Sequence, residues 1–403
     1  MTELTRILPN AHDVVTAHGP VVVVETRMDA AEVHGGVRLD RLRGPVGRGL
    51  ADLAGADLAA DQDLAEAVFL DVESTGLGAG AGIYAFLVGL ARFSDGALVM
   101  RQYFLRAPEE EGAWARLVAQ DLESCRLLVT YNGRSFDVPL LHTRFILQRR
   151  ALPIGAVPHL DLMRPARRLW RHHLPSCALT SLEESLLDLH REGDVPGPEI
   201  PRIYNEYLSN GDATPLAPVV SHNALDVLSM VSLAIRIRDL IDDHRPTEPD
   251  HPAVWLGLGQ CHEHLGDGER AEHAYVEACR DPPAEPRAVR DGAVRDGAVR
   301  DGAVRDEALR RLSGLVKRAH RWEEAEALWR DLVQTCHPDG LYPYENLAKL
   351  LEHREHRFAD ALEVVDVALL RLATGRVSCR RDPDRVARAL DHRRRRLVRR
   401  SKG

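Results

Sequence analysis

The sequence predicts an α/β domain, built on a mixed sheet with flanking helices, that is followed by an all-α domain of helical repeats. Residues 65–243 alternate between short apolar runs bounded by turn residues, which are typical of buried strands, and longer stretches with apolar residues at helical spacing. Beyond a charged, proline-rich linker at 244–252, residues 253–370 show only helical spacing, in units that resemble one another. A chain of 403 residues is long enough for two or three domains.

Bulk composition narrows the classes of protein that this sequence can encode. A hydrophobic fraction of 44% and a charged fraction of 28% are ordinary for a globular protein. The sequence has no run of about 18 apolar residues, so we expect no membrane span, and the N-terminus lacks the basic and apolar regions of a secretory signal. The six cysteines form no CxxC pair, which favours reduced thiols over disulfides or a structural zinc site. We therefore expect a cytoplasmic protein with no membrane partner.

Charge is distributed unevenly along the chain. The net charge of −8 argues against a generally basic nucleic-acid binder. Residues 371–403 nevertheless form an Arg-rich C-terminal tail that includes the run Arg393–Arg396. Two interpretations of this tail stay open: a solvated helix end, or a segment that binds phosphate groups without sequence specificity.

The elements of the α/β domain follow from their apolar patterns. Residues 1–64 contain one clear strand, Pro20–Thr26, and we expect them to form an N-terminal extension that packs on the α/β domain. Residues 193–218 are rich in Pro and Gly and predict a long irregular loop. The elements predicted for the domain itself are a strand at Ala67–Val72, a hairpin of strands at Ile83–Phe93 and Ala97–Leu105, a helix at Glu109–Glu123, a strand at Arg126–Tyr131, and helices at Val138–Arg149 and Ser221–Ile237. Three antiparallel strands followed by helix, strand and helix is the order of a ribonuclease H-like sheet.

The first strand of this domain runs into two carboxylates separated by one residue, Asp71 and Glu73. Side chains on a strand alternate, so both point to the same face. Two carboxylates at the end of a buried strand repel each other and resist the loss of water, and such a pair is usually retained because a cation lies between them. The pair alone is a weak signal, because Asp-x-Glu is also common at solvated strand ends.

Later elements supply further candidate ligands. Asp137 follows a strand and an Asn-Gly turn and opens a helix, whose N-terminus favours a carboxylate. His222 and Asp226 are four residues apart on a predicted helix and so lie on one face. Asp161 stays open between a site residue and a capping or buried Asp that only makes hydrogen bonds. Four carboxylates and a His are what a two-metal phosphodiesterase site needs: oxygen ligands for two Mg²⁺ or Mn²⁺ ions, and a base for the attacking water.

These motifs resemble those of a known family. Asp-x-Glu at Asp71 and Glu73, Asn-Gly-x-x-Phe-Asp ending at Asp137, and His-x-x-x-Asp ending at Asp226 look like the three motifs of the DEDD 3′–5′ exonucleases. With helical repeats following, the chain is most similar to the YprB-like ribonuclease H-like proteins of bacteria. The resemblance implies that Asp71 bridges two metal ions. It further implies that Glu73 and Asp226 complete the ligands of one ion and that Asp137 serves the other. His222 is then the general base.

One spacing departs from that family. The subgroup with a His base usually places it five residues before the final Asp, and the subgroup with a Tyr uses four. Here His222 lies four residues before Asp226. The subgroup therefore stays open, and His222 keeps the alternative interpretation of a helix-surface or core histidine.

Six residues are predicted to contact the substrate. Two lie in the Ser/Thr/Gly turn after the first strand, and one Asn lies in the Asn-Gly turn, where a turn-forming role is the alternative. Three arginines share one predicted helical face beside Trp170 and suggest a nucleic-acid track, with a solvated amphipathic face as the alternative. The six residues are Ser74, Thr75, Asn132, Arg164, Arg168 and Arg171.

Two conspicuous stretches carry no predicted site. The glycine run Gly76–Gly82 lacks the Lys-Ser/Thr of a phosphate-binding P-loop and leads into no helix, so it predicts a flexible turn. Cys261–His264 contains residue types that bind metals, but these lie within one predicted helix and face different ways.

The C-terminal domain, residues 253–370, is predicted to be tetratricopeptide-like. The pattern of that repeat is matched once in full, and weaker copies lie near residues 321–329 and 357–361. An insertion at about 287–305, made of tandem copies of the pentapeptide DGAVR, separates the first two tetratricopeptide-like repeats. A period of five gives no consistent apolar face, so we expect this insertion to loop out of the helices. The full match runs through Trp255, Leu258, Gly259, Ala271, Tyr275, Ala278 and Pro283.

The predicted function is that of a metal-dependent nuclease, acting as a 3′–5′ exonuclease on DNA or RNA with two Mg²⁺ or Mn²⁺ ions. The predicted partners are nucleic acid and a protein bound by the helical repeats. Two alternatives stay open: a scaffold that binds nucleic acid without cutting it, and an endonuclease on the same fold. The complete set of carboxylates favours cleavage, because a site that no longer cut nucleic acid could lose some of them.

Overall fold

The computed structural model describes residues 3–55, 61–76, 78–243, 251–280, 293–335, 340–377 and 382–402. The chain divides into two compact units, residues 1–248 and residues 249–403. Most of the predicted linker at 244–252 lies outside the described residues.

A seven-stranded mixed sheet is the centre of the N-terminal unit. Its order is β1-β2-β7-β6-β5-β8-β9, and β3 and β4 form a separate two-stranded ribbon. The strands β5, β8 and β9 run parallel to one another, and the remaining neighbours in the sheet are antiparallel. The described strands are β1 (Ala11–Thr16), β2 (Gly19–Asp29), β3 (Val33–His34), β4 (Val37–Arg38), β5 (Ala67–Ser74), β6 (Ala85–Ser94), β7 (Ala97–Phe104), β8 (Leu127–Thr130) and β9 (His159–Asp161).

Helices flank this sheet, which confirms the predicted fold class of the unit. The long helix α8 lies against β5 and β6. The helices of the unit are α1 (Glu3–Ile7), α2 (Arg48–Ala54), α3 (Glu111–Leu122), α4 (Asp137–Leu147), α5 (Met163–Trp170), α6 (Leu179–Leu186), α7 (Ile200–Asn210) and α8 (Leu216–Asp243).

The N-terminal segment contributes two strands to the sheet itself. Strand β2 pairs with β7 from Val22 opposite Phe104 to Asp29 opposite Ala97. Its valines at 21–24 are buried in the core, as expected for a strand covered on both faces. Strand β1 pairs with the other edge of β2.

Buried aromatic and ionic contacts hold the flanking helices on the sheet. The fully buried Trp114 of α3 donates a hydrogen bond from Nε1 to the carbonyl of Tyr103, at 3.0 Å. Tyr204 of α7 stacks on Phe86 with ring centroids 4.0 Å apart. Arg144 of α4 forms an ion pair with Glu111 of α3, and each side chain is only 3% exposed. These contacts fix α3, α4 and α7 relative to the strands that lead into the carboxylate positions.

One prediction in this unit was wrong. The stretch 193–218 is not irregular throughout, because residues Ile200–Asn210 form α7. Ile200, Ile203 and Tyr204 are buried at helical spacing, and Pro201 occupies the first turn, where its missing N–H costs nothing. The high Pro and Gly content hid this apolar face.

Every regular element in the described part of the C-terminal unit is a helix, which confirms the predicted all-α class of this region. The small residue Gly259 lets α9 approach α10 closely, because a Cβ there would overlap the ring of Tyr275. The helices are α9 (Pro252–His264), α10 (Gly268–Ala278), α11 (Ala293–Arg318), α12 (Trp322–Thr335), α13 (Tyr342–His353), α14 (Phe358–Ala373) and α15 (Pro383–Ser401).

The DGAVR repeats do not loop out where the structure describes them. Residues from 293 onward belong to α11, whereas 281–292 lie outside the described residues. The buried residues Val304, Ala308 and Leu312 give the later part of α11 an apolar face. Helix propagation costs far less than nucleation, so this packed part extends back through the repeats despite their period of five.

The Arg-rich tail contains a packed helix. Helix α15 lies on α14 and buries Val386, Leu390 and Leu397. The carboxylate of the fully buried Glu352 accepts hydrogen bonds from Arg393 and Arg396. No described helix combines the length and the apolar character needed to cross a membrane.

Candidate active site

The predicted carboxylates Asp71 and Glu73 lie at the end of β5. The first four residues of this strand are buried and the last four are partly exposed, so the strand emerges from the core at Asp71. Asp71 pairs with Gly89 of β6, and the register shifts between Glu73 and Ser74. The sheet therefore delivers both carboxylates to the surface covered by α8.

Asp71 is held by a hydrogen-bonded chain that the sequence analysis missed. Asn223 of α8 donates from Nδ2 to Asp71 Oδ2 at 2.7 Å. The buried Gln102 donates in turn to Asn223 Oδ1 at 2.9 Å and to the carbonyl of Val220 at 2.8 Å. The space for this chain comes from Gly89, since a Cβ there would clash with Asn223 Oδ1. The only signal in the sequence is the position of Asn223 directly after His222.

The predicted ligand Asp137 begins α4 beside the same strand. Burial raises its pKa to about 7, opposed by hydrogen bonds with its own backbone and that of Val72, and repulsion from Asp161 and Asp226 adds to the rise. The bond to Val72 places Asp137 next to Asp71 and Glu73. The structure thus brings the middle motif to the end of β5.

Asp161 makes the hydrogen bonds of a buried structural aspartate. Its Oδ1 accepts from the backbone N–H of Asn132 at 2.8 Å and of Met163 at 3.2 Å, and its Oδ2 accepts from the backbone N–H of Arg134 at 3.2 Å. Asn132 has a φ of 63°, the left-handed conformation that Asn tolerates. Of the two interpretations left open for Asp161, these contacts favour the structural one. It shapes the turn that leads to Asp137.

The predicted substrate contacts at Ser74 and Thr75 serve the turn after β5. Ser74 Oγ donates to the carbonyl of Gly76 at 2.7 Å, and Thr75 Oγ1 accepts from the backbone N–H of Tyr84 at 2.9 Å. Their hydroxyls therefore hold the glycine-rich turn in place.

The predicted arginine track lies on α5. Arg164 and Arg171 are exposed and Arg168 is partly exposed, but Trp170 is only 3% exposed and belongs to the core. Trp170 thus offers no face on which a nucleic-acid base could stack. Arg164 and Arg171 keep their side chains at the surface, Arg171 with a hydrogen bond to His172.

His222 and Asp226 project from one face of α8 toward the carboxylates of β5. His222 Nε2 lies 3.8 Å from Asp226 Oδ2, and His222 Nδ1 lies 2.8 Å from Asp194 Oδ1. The sequence analysis missed Asp194, and it also missed Arg191, whose guanidinium pairs with Asp226. Both lie in the segment between α6 and α7, for which the sequence predicted no site.

Arg191 is the main positive charge next to the cluster. Its guanidinium donates to both oxygens of Glu183 at 2.6 Å, to Asp194 at 3.1 Å, and to Asp226. Its side chain is 9% exposed and that of Glu183 is 2% exposed. A buried Arg with several carboxylate partners is firmly held, because losing any partner would leave a buried charge uncompensated.

Burial raises the pKa of the clustered carboxylates, and repulsion between carboxylates adds to the rise for several of them. For Asp71, burial and then repulsion from Asp226, Glu73 and Asp137 raise the pKa well above its usual value, against the bond from Asn223. Burial and repulsion from Asp226 and Asp137 raise the pKa of Glu73 to about 8. Burial also raises the pKa of Asp226, although His222 and Arg191 oppose this. The side chains therefore lie close enough to interact strongly.

The chemistry of this donor set fits divalent cations. Carboxylate oxygens are the ligands that Mg²⁺ and Mn²⁺ prefer, and the raised pKa values mark a cluster with too little positive charge. As placed, the described side chains form no group of three or more His, Cys, Asp or Glu residues at metal-binding distances. Asp226 is instead paired with Arg191, and Asp71 with Asn223.

Comparison with known proteins agrees with the arrangement of the sheet. Residues 68–238 match the model of the RNase_H superfamily. The chain is 31% identical over 305 residues to the uncharacterized protein YprB of Bacillus subtilis (strain 168). That similarity covers 75% of this chain and 68% of YprB.

Proposed function

Because this chain belongs to the same family as YprB and carries an RNase H superfamily domain, we propose that it is a metal-dependent nuclease acting as a 3′–5′ exonuclease on DNA or RNA. The observation that carries this proposal is the cluster of Asp71, Glu73, Asp137 and Asp226. Three separate elements, β5, α4 and α8, bring these carboxylates together. Burial raises the pKa of each, and repulsion within the cluster adds to the rise for Asp71, Glu73 and Asp137.

The proposed roles of the carboxylates are those that the resemblance to the DEDD exonucleases implies. Asp71, whose pKa responds to each of the other three, would be a ligand of both ions. Glu73 and Asp226 would complete the ligands of one ion, and Asp137 those of the other. When bound, two Mg²⁺ or Mn²⁺ ions would offset the negative charge that develops on the phosphate oxygens and favour loss of the water's proton.

His222 is the proposed base. It is 9% exposed, and its Nε2 faces the carboxylate cluster while its Nδ1 faces away from it, toward Asp194. A neutral imidazole nitrogen in this position can accept a proton from a water molecule near neutral pH. Asn223 holds Asp71 by a neutral hydrogen bond and so orients this carboxylate without cancelling its charge.

The experiment that tests the function compares metal-dependent cleavage in matched variants. The full chain is incubated with end-labelled single-stranded DNA and RNA, with Mn²⁺ or with EDTA. We expect nucleotide release with Mn²⁺, and a loss of about 10³-fold or more in Asp71→Asn, because a metal ligand supplies several kcal/mol of transition-state stabilisation. The exposed Asp52 of α2 provides the control Asp52→Asn, which should retain full activity.

The products decide between the proposal and its alternatives. Release of mononucleotides, with a ladder of strands shortened one nucleotide at a time from the 3′ end, supports the exonuclease. Internal fragments would instead make the enzyme an endonuclease. Oligonucleotide binding without release in Mn²⁺ would leave a nucleic-acid-binding scaffold.

We also propose that residues 253–370 form tetratricopeptide-like helix pairs that bind a protein partner. The supporting observation is the contact of Gly259 with Tyr275 between α9 and α10, two positions that match the repeat. Gly259→Leu should separate the two helices, which would lower the thermal midpoint measured by circular dichroism and weaken partner capture. An unchanged midpoint would contradict the close helix packing.

A further inference from the structure

A second carboxylate outside the predicted motifs faces His222. Asp194 Oδ1 lies 2.8 Å from His222 Nδ1, whereas His222 Nε2 points to the opposite side, toward Asp226. A carboxylate can only accept a hydrogen bond at this distance, whereas the other neighbour of Nδ1, Arg191 Nη1 at 3.3 Å, can only donate one. The contact with Asp194 is the shorter of the two, so the proton of a neutral His222 belongs on Nδ1. That leaves the lone pair of Nε2 directed at the carboxylate cluster.

Asp194 is itself fixed from two sides. Its Oδ1 also accepts from the backbone N–H of Val195 at 2.9 Å, and its Oδ2 accepts from Arg191 Nη1 at 3.1 Å. Arg191 is anchored by the buried Glu183 through two hydrogen bonds of 2.6 Å. The orientation of Asp194 is therefore determined by a network that involves no substrate.

We propose that Asp194 is a positioning residue, which fixes the ring orientation and the tautomer of His222 so that Nε2 can act as the base. This inference rests on the proposed function, because it assigns Nε2 the role of accepting the proton of the attacking water. It also explains how a His four residues before Asp226 can serve, since Asp194 and not the spacing along α8 determines which nitrogen faces the site.

Removing the carboxylate of Asp194 inverts the expected tautomer. A change to Ala, written Asp194→Ala, is used because Asp194→Asn could turn its oxygen toward either Val195 N–H or Arg191. Asp194→Ala removes the acceptor at His222 Nδ1 and leaves the donor Arg191 Nη1, which lies 3.3 Å from Nδ1. His222 Nδ1 then accepts a hydrogen bond, which moves the ring proton to Nε2 and blocks the base. Loss of a purely structural contact would leave the tautomer unchanged, whereas a wrong tautomer is expected to reduce kcat by about 100-fold or more. The control Asp194→Glu keeps an acceptor and should retain the tautomer.

The experiment measures the tautomer directly and the kinetics separately. The full chain is labelled with ¹⁵N-histidine and studied at about pH 8, above the ordinary pKa of His. His222→Gln identifies the signals of this residue. We expect the Nδ1–H form in the wild type and in Asp194→Glu, and the Nε2–H form in Asp194→Ala. With Mn²⁺ and oligonucleotide, Asp194→Ala should lower kcat while KM stays within about two-fold.

The outcomes separate this inference from the proposed function. A wild-type His222 in the Nε2–H form, or protonated on both nitrogens, overturns the inference even if the enzyme cleaves nucleic acid. An unchanged tautomer in a folded Asp194→Ala also overturns it. If the wild type cleaves nothing but shows the Nδ1–H form, the positioning of His222 stands and the proposed function fails. Circular dichroism establishes folding, and the wild-type spectrum decides alone if the variant does not fold.

A separate observation concerns the exposed face of α15. Five basic residues follow one another at spacings of three and four and lie within an arc of about 80°, over a length of about 21 Å. All five are exposed, because the buried residues of α15 lie on another face. We call this set the α15 stripe. It consists of Arg385, Arg388, His392, Arg395 and Arg399.

The α15 stripe carries charge with few acidic partners. Arg395 pairs with Asp391, and Arg399 donates to the carbonyl of Arg395. Among the described residues, Arg385 and Arg388 have no ion pair with a carboxylate. By contrast, Arg393 and Arg396 are turned inward to Glu352. The helix thus separates structural arginines from outward-facing ones.

We infer that the α15 stripe binds the phosphate backbone of a nucleic acid without sequence specificity. The choice of ligand rests on the proposed function, and the match is one of charge and length. One strand of a duplex carries a phosphate about every 3.4 Å along the axis, so a row of about 21 Å faces several phosphates. Arg suits this contact because its guanidinium donates to phosphate oxygens in a fixed geometry.

The test compares two variants with equal change in net charge. In EDTA, where no metal-dependent cleavage occurs, binding of a single-stranded oligonucleotide is measured against salt concentration. Replacing the four arginines of the stripe by Gln should lower the salt slope by about 2.8, at about 0.7 for each lost phosphate contact. The control replaces four arginines that are paired with carboxylates and should change the slope little. These are Arg318, Arg321, Arg330 and Arg357.

Equal loss of binding in both variants would overturn the inference, because it would trace binding to net charge alone. So would an unchanged salt slope in the stripe variant, or loss of binding to polyglutamate but not to the oligonucleotide, which would indicate an acidic protein partner. None of these three results depends on cleavage, so nuclease activity is tested independently.

Discussion

Neutralising Glu73 tests the carboxylate cluster in the absence of metal. In the folded protein the pKa of Glu73 is raised from 4.5 to about 8, by burial and then by repulsion from Asp226 and Asp137. Between these two values the folded protein holds a proton that the unfolded chain has lost. The stability that depends on this proton is fully present below about pH 4.5 and is lost as the pH rises through about 8.

The size of the effect follows from the difference between the two pKa values. A difference of about 3.5 corresponds to about 4.8 kcal/mol, at about 1.36 kcal/mol for each pKa unit. The Glu73 side chain is partly exposed and titrates together with Asp137, whose own pKa is raised to about 7. Both facts reduce the expected loss, to about 2–4 kcal/mol of unfolding free energy.

The assay compares the wild type with Glu73→Gln, which has nearly the same shape and no charge. Urea unfolding in EDTA is followed by circular dichroism at about pH 5 and about pH 9. The two proteins should differ little at the lower pH, and the wild type should lose about 2–4 kcal/mol more than the variant at the higher pH. Glu123→Gln, at an exposed position after α3, is the control and should follow the wild type. If the unfolding free energies of the wild type and Glu73→Gln changed equally between the two pH values, the argument that these carboxylates repel one another would be refuted.

Three further substitutions have expected outcomes. Gly89→Ala should cost about 1–3 kcal/mol in urea unfolding and reduce Mn²⁺-dependent nucleotide release, because the added Cβ displaces Asn223. Arg144→Met leaves Glu111 buried without its partner and should cost about 3–5 kcal/mol, whereas adding Glu111→Leu should recover most of this, as measured by calorimetry. Glu352→Gln weakens the buried contact with two arginines of α15, so limited proteolysis should cut this helix faster than in the wild type.

The parts of the site that depend on local pattern were predicted from the sequence. Strand β5 was expected at Ala67–Val72 and extends to Ser74, and the helix carrying His222 and Asp226 begins before its expected start. A buried strand shows itself as a continuous apolar run, and two side chains four apart on a helix must share a face. These rules need no knowledge of distant contacts.

The parts that depend on distant contacts were not predicted. Asp194 reaches His222 across 28 positions, and Gln102 reaches Asn223 across 121. Nothing in the sequence around Asp194 marks it as a partner of a histidine, because its place is set by the path of the chain between α6 and α7. The role of Asp161 was equally hidden, since its partners are backbone N–H groups, which every residue but Pro carries.

The pairing of β2 with β7 bears on how this protein can be divided. The residues that match the RNase_H superfamily begin at 68, after both N-terminal strands. A fragment cut there would leave β7 with an unpaired row of backbone donors and acceptors from Ala97 to Phe104, a ready template for another strand. Such a fragment is expected to self-associate or aggregate, and fragments for expression should therefore begin before β1.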